Sequence, residues 1–372
     1  MKRLFVLPIA ALAMSPVFAA NENEVAPEAS NIEVATASAQ AAPCAALPKI
    51  SGYLQTGWNY NNPAGLGNSS SSFQAKRLRL IMDGNCGENI DFRLQIEAFN
   101  GIAGSTNGNG QKNIQVMDAF ATWKIMPEFK IRAGQFYTPL GYENYDISPA
   151  TLETVDFSNI VYRMACRNPY SYNLVDYGRD LGIMFIGDVT PYFHYDVALT
   201  NGSIPCKDDN NKSKDIYVSG TFKPFKYFNI KATYSFGSMT GTSMASNSIH
   251  PAASGNHELN RFVAGAWYNN PTGFDIRGEY GMMNGAGVKE QGAYGLVGYH
   301  YGKFLPIARW DWYQDRTNHY SANNYNRILV GCTYQLTKNT KVQVNYGHTM
   351  YGDHNPGGST AEQVQIMGLF KF

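Results

Sequence analysis

The sequence predicts an all-β fold: a transmembrane barrel of 16 antiparallel strands with a long loop folded into the lumen. Three observations carry that prediction. Short segments of period-two hydropathy recur from residue 50 to the last residue, and the gaps between them alternate long and short. Phe, Tyr and Trp make up 13% of a chain whose mean hydropathy is nevertheless negative. A helical membrane protein is excluded by the absence of a second long apolar run. A barrel accounts for all three, because lipid-facing and lumen-facing residues alternate and aromatics gather at both interfaces.

The first element is an export signal over residues 1–20. Lys2 and Arg3 precede the apolar run Leu4 to Met14, and Val17-Phe18-Ala19 or Phe18-Ala19-Ala20 supplies the small residues of a cleavage site. An uncleaved anchor is the alternative, but this run falls short of the roughly 20 apolar residues a spanning helix requires. Residues 21–48 are Ala-rich, acidic early and without alternation, so they read as a flexible periplasmic leader. Residues 49–372 are the barrel.

Within it the expected strands are 50–60, 73–84, 89–99, 113–126, 128–138, 179–188, 191–201 and 213–224. They continue with 226–238, 258–269, 272–283, 289–302, 303–314, 324–336, 338–350 and 361–372. The intervening gaps are long after the first, third and fifth strands and short after the second, fourth and sixth, and the rule persists to the end. Short periplasmic turns and longer outer loops have this pattern, and an even strand number places both ends of the barrel inside. In the fourth strand Met117, Ala119, Ala121, Trp123 and Ile125 share one apolar face, while Asp118, Thr122 and Lys124 share the other. About forty residues follow Pro139 before the next strand, long enough to mark a functional loop. The last strand puts Val364, Ile366, Gly368, Phe370 and Phe372 on one face. Such an aromatic terminal strand resembles an outer-membrane assembly signal, and its pairing with the strand near Ile50 would remove both open edges.

Charge excludes little. Without Lys2 and Arg3 the basic side chains fall from 30 to 28 against 29 acidic, which argues for no nucleic-acid partner. The five cysteines fit no zinc spacing, and an exported chain permits disulfides. Cys44 with Cys86 and Cys166 with Cys206 are the expected pairs, leaving Cys332 free; unpaired cysteines are the alternative.

Gly134-Gln135-Phe136-Tyr137-Thr138-Pro139-Leu140-Gly141 resembles the most recognisable stretch of the phosphate-selective porin O and P family. Arg77-Leu78-Arg79-Leu80, Arg179-Asp180-Leu181-Gly182 and Asn201-Gly202 are similar to further stretches of it, in strand order over residues 50–372. The resemblance implies a homotrimeric porin in the outer membrane of a Gram-negative bacterium, in contact with lipid and lipopolysaccharide. It also implies a loop folded into the lumen and basic residues that guide small anionic or polar solutes, phosphate among them. The family's dense arginine ladder is matched only in part, by Arg77 and Arg79 on a wall strand and by Arg163 and Arg167 in the long loop.

Alternation assigns the lumen face. With Leu78, Leu80 and Met82 toward lipid, Arg77 and Arg79 point inward. By the same rule so do Arg93, Lys124, Lys130, Arg132, Lys223, Lys231, Arg277, Arg309, Arg327 and Lys341. Asp91, Glu97, Asp118, Asp215, Asp275, Glu279 and Asp311 share those faces, a modest positive excess that would favour anions in a narrow pore. The faces of 258–269 and 289–302, and with them Trp267, stay unassigned. The candidate anion-binding, pore-lining residues are therefore Arg77, Arg79, Arg93, Lys124, Lys130, Arg132, Arg163, Arg167, Arg277 and Arg309. The competing readings are wall charges that pair with each other in a weakly selective or sugar-type pore, and a structural or adhesive barrel without transport. No nucleophile elbow or other positioned catalytic motif occurs, and no residue pattern calls for a cofactor or a metal. Sixteen strands leave an aqueous channel, which favours transport.

Overall fold

The computed structural model describes residues 47–65, 67–99, 114–165, 178–202, 205–206, 208–209, 212–241, 255–285, 288–316, 324–352 and 359–372. The expected signal segment, most of the leader, Cys44, Cys166 and Arg167 lie outside them. Among the described residues Cys86, Cys206 and Cys332 form no disulfide.

Alternating sequence becomes sixteen strands. They are β1 (Lys49–Asn62), β2 (Ser70–Asn85), β3 (Ile90–Glu97), β4 (Gln115–Met126), β5 (Phe129–Tyr137), β6 (Arg179–Thr190), β7 (Phe193–Thr200) and β8 (Asp215–Phe225). The second half comprises β9 (Phe228–Gly241), β10 (Gly255–Asn269), β11 (Phe274–Gly285), β12 (Val288–Tyr299), β13 (Phe304–Asp315), β14 (Tyr325–Thr337), β15 (Thr340–Tyr351) and β16 (Thr360–Lys371). Each pairs antiparallel with its sequence neighbours, and β16 closes the ring on β1 from Tyr53↔Lys371 to Asn62↔Glu362. Gly52 N–H donates to Phe372 O at 2.9 Å and Phe372 N–H returns the bond at 3.0 Å, so the terminal aromatic is part of the seam. Closure leaves no edge whose backbone would face lipid unpaired.

The faces are inverted relative to a water-soluble protein. Leu80, Trp123, Ile183, Val218, Ile276, Trp310, Ile328, Val344 and Ile366 point outward and are exposed, while Gln55, Arg79, Asp118, Asp196, Lys231, Arg277 and Gln343 are buried inside. Hydrocarbon outside and water or polar partners inside give each half of the alternation its place. Stacked, edge-on or tilted pairs Phe129–Phe185, Phe225–Phe228, Phe274–Tyr299 and Phe304–Tyr334 ring the short-turn end as an aromatic girdle.

Two internal bulges break the alternation. Gln55 pairs with Arg77 but Thr56 pairs with Ala75, which makes Lys76 an extra residue in β2. Likewise Gln95 pairs with Asp118 and Ile96 with Val116, so Met117 is extra in β4. The expected lipid-facing position of Met117 is thus corrected: its side chain is buried, because a bulge lets two successive residues depart from strict period two.

Candidate functional site

The segment between β5 and β6 carries its own apolar side. Leu140, Leu152, Val155, Phe157, Ile160 and Met164 are all buried, and most of them pack with Phe136, Met184, Val263, Trp267, Met283, Tyr294 and Leu296 of the wall. A four-residue helix, α1 (Tyr142–Tyr145), stacks Tyr142 on Trp267 with ring centroids 3.7 Å apart. A wide π-helical turn, α2 (Ile160–Ala165), follows. Trp267, unassigned from sequence, therefore faces inward. Both faces of β10 and β12 read as apolar because their inner residues pack this loop instead of water.

Polar contacts tie the same segment to strands around the ring. Glu279 on β11 accepts the Tyr142 and Glu143 N–H groups at 2.5 and 3.1 Å. Arg277 lies 3.3 Å from Glu143, 2.6 Å from Glu153 and 3.9 Å from Asp275. Lys231 on β9 reaches Asp146 at 2.6 Å, and Tyr145 OH donates to Asp196 on β7 at 3.0 Å. Arg309 on β13 donates to Asp156 O at 2.9 Å and Phe157 O at 3.1 Å, while Arg261 on β10 donates to Met164 O at 3.2 Å. Lys341 and Gln343 on β15 donate to Leu152 O at 2.6 and 2.9 Å. On β2, Arg77 donates to Val155 O at 3.2 Å and Lys76 pairs with Asp156, which also accepts from Gln365 on β16 at 2.8 Å. Burial alone would push the Asp156 and Glu153 carboxyls up, but neighbouring cations win. Lys76, with Arg327 and Arg77, holds Asp156 below the ordinary carboxylate range, and Arg277 does the same for Glu153.

Nine of the ten candidate cations, all but Arg167, which lies outside the described residues, fall into groups. Arg77, Arg277 and Arg309 are buried against the loop. Arg79 is buried against Glu97 at 2.9 Å, on a wall that continues through Arg179 and Asp118 at 2.5 Å. Arg163 stacks on Tyr313 at 4.6 Å. The remaining four, Arg93, Lys124, Lys130 and Arg132, line an open cavity of about 590 Å³ with Asp83, Asp91, Asp118, Phe120, Tyr137, Tyr145 and Asp146. Three of these are paired: Arg93 with Asp83 at 2.7 Å, Lys124 with Asp91 at 2.6 Å and Lys130 with Asp188 at 3.3 Å. Arg132 differs. Its Nε donates to Thr122 Oγ1 at 3.1 Å, its guanidinium lies 4.2 Å from the Phe120 ring centroid, and among the described residues no carboxylate is within ion-pair distance.

Two expectations change. Lys76 was absent from the lumen candidates because strict alternation sends it toward lipid; the bulge turns it in. The signal was the Lys76-Arg77 doublet itself, since a lysine on a lipid face is costly. The positive excess also disappears. Arg179, Arg261 and Lys76 join the interior, but so do Asp83, Asp180, Asp188, Asp196, Glu290 and Asp315, and the loop adds Glu143, Asp146, Glu153 and Asp156.

A model of the family described as phosphate-selective porin O and P matches residues 49–288. Among solved structures, an anion-selective porin from Comamonas acidovorans is similar over 87% of this chain and 99% of its own, with 15% identity and a TM-score of 0.64. OmpF of Salmonella typhi, in complex with daunomycin, aligns over 87% and 97% with 14% identity and a TM-score of 0.65. The trimer form of OmpT from Vibrio cholerae aligns over 87% and 99% with 12% identity and a TM-score of 0.61. No curated protein matches by sequence.

Proposed function

The chain belongs to the phosphate-selective porin O and P family, whose members are channels of the Gram-negative outer membrane, and on that premise we propose that it passes small hydrophilic solutes by diffusion, with a local preference for anions. One observation carries the preference: Arg132 presents a guanidinium without a carboxylate partner to the open cavity. A cation fixed in a narrow, partly desolvated passage lowers the barrier for anions, and its free Nη groups match a carboxylate or phosphate fork. Arg93, Lys124 and Lys130 contribute less, since each is offset by its own acid. Arg77, Arg79, Arg277 and Arg309 serve the wall and the loop, and the loop narrows the passage, with Arg163 in its basic part.

On this reading residues 1–20 direct export, residues 21–48 form a periplasmic leader, and the barrel works as a homotrimer among lipid and lipopolysaccharide. The near balance of lumen charge favours the weakly selective or sugar-type pore as the second reading. The test is the reversal potential of the purified protein in a planar bilayer under a salt gradient, before and after phosphate is added. An anion-selective current that phosphate blocks, and that Arg132→Gln makes unselective, supports the proposal. An unselective current in the wild type removes the anion preference and keeps the channel.

A further inference from the structure

We propose that Lys76 is a positioning residue that sets the size limit of the channel by latching Asp156 to the barrel wall, an inference that rests on the chain being a channel. The two sides of the loop are held differently. Toward β9 and β11 its carboxylates Asp146, Glu143 and Glu153 form ion pairs with Lys231 and Arg277. Toward β13–β16 and β2 the contacts are hydrogen bonds from Arg309, Lys341, Gln343, Thr333 and Arg77 to backbone carbonyls. On that second side an ion pair, Lys76–Asp156, ties the loop to β2.

The latch exists because the chain carries one residue too many. Without the bulge, β2 would present either Lys76 or Arg77 to the lumen. With it, Arg77 supports Val155 O while Lys76 reaches the neighbouring carboxylate. Asp156 is otherwise well served: Gln365 donates to Oδ2 at 2.8 Å and Tyr162 OH to Oδ1 at 3.2 Å. Those neutral donors fix its direction, and Lys76 supplies the opposite charge that lets a carboxylate sit in a largely buried site. The cavity lined by Arg93, Lys124 and Arg132 lies on β2–β5, adjoining this wall. Loss of the ion pair would leave Asp156 with neutral donors and the neighbouring carbonyls with Arg309 and Arg77, loosening the loop against β2 and β16 beside the cavity.

Lys76→Met, Asp156→Asn and Lys76→Arg, in the full-length barrel, separate a latch from a mere change of lumen charge. Single-channel conductance and the swelling of liposomes in sugars of graded size are the readouts, with heat-modifiable mobility as the check on assembly. A latch predicts that Lys76→Met and Asp156→Asn move both readouts the same way, toward roughly 1.5-fold or greater conductance and passage of larger sugars. Their combination should add little to either alone, and Lys76→Arg should stay near wild type. Unchanged size limits, or conductance shifts of opposite sign for the two variants, overturn the latch, because charge alone would act oppositely on ion flow. If Lys76→Met does not assemble, the isosteric Asp156→Asn decides by itself. A wild-type barrel that passes nothing overturns both this inference and the channel reading.

Discussion

Arg132 and Arg277 carry the same charge to opposite ends, because one faces a cavity and the other is enclosed by carboxylates. Arg132 is half-buried on Phe120 with no acid beside it, so Arg132→Gln should shift the reversal potential toward that of an unselective pore while leaving the barrel folded. Arg93→Gln should move it far less, since the same substitution frees Asp83 only at a half-exposed site. Arg277 is 1% exposed and shared by Glu143, Glu153 and Asp275. Arg277→Met should therefore lower stability by about 3–5 kcal/mol, the cost of stranding buried charges, read as a lower unfolding midpoint in detergent. Sequence alone named both residues as inward-facing. It had no means to tell them apart, because whether an inward cation meets water or acid depends on what the loop brings across the lumen.

At the scale of elements, strands were legible and their exceptions were not. Period two located all sixteen to within a few residues, since each strand here must be apolar on one side. The bulges at Lys76 and Met117 were missed because one inserted residue is invisible in a pattern that tolerates scatter. Gly134 is a case where backbone geometry explains a motif. Its φ is +124°, and a Cβ there would lie 2.2 Å from Ala119 O. Gly134→Ala should cost about 1–3 kcal/mol and lower the fraction of barrel recovered in the folded, heat-modifiable form. The loop between β5 and β6 was recognisable by length, whereas its anchoring partners come from strands as distant as β16.

For the whole molecule, acid should loosen the loop late. The Asp156 and Glu153 carboxyls sit below their ordinary range, so the stabilisation they provide is complete above the unfolded pKa of about 4 and is lost only as pH falls through the lower folded values. Conductance should consequently rise below about pH 4 as these two contacts are lost, as bilayer recordings across a pH series can establish. Gln substitution at Glu153 should bring the neutral-pH conductance toward the acid value.

The barrel is legible in the linear chain: strand number, antiparallel order, closure through the aromatic last strand, and an outer-membrane setting. Those follow from local alternation and turn length, which a chain cannot form in lipid any other way because every backbone group must be paired. Which lumen charges remain available follows from the folded arrangement alone. Carboxylates on neighbouring strands cancel most of them, the segment between β5 and β6 pairs with Lys231 and Arg277, and a single extra residue in β2 turns Lys76 from lipid to lumen. Such pairing joins residues remote in sequence, at distances set by the closed wall and the docked loop together, and no local pattern encodes it.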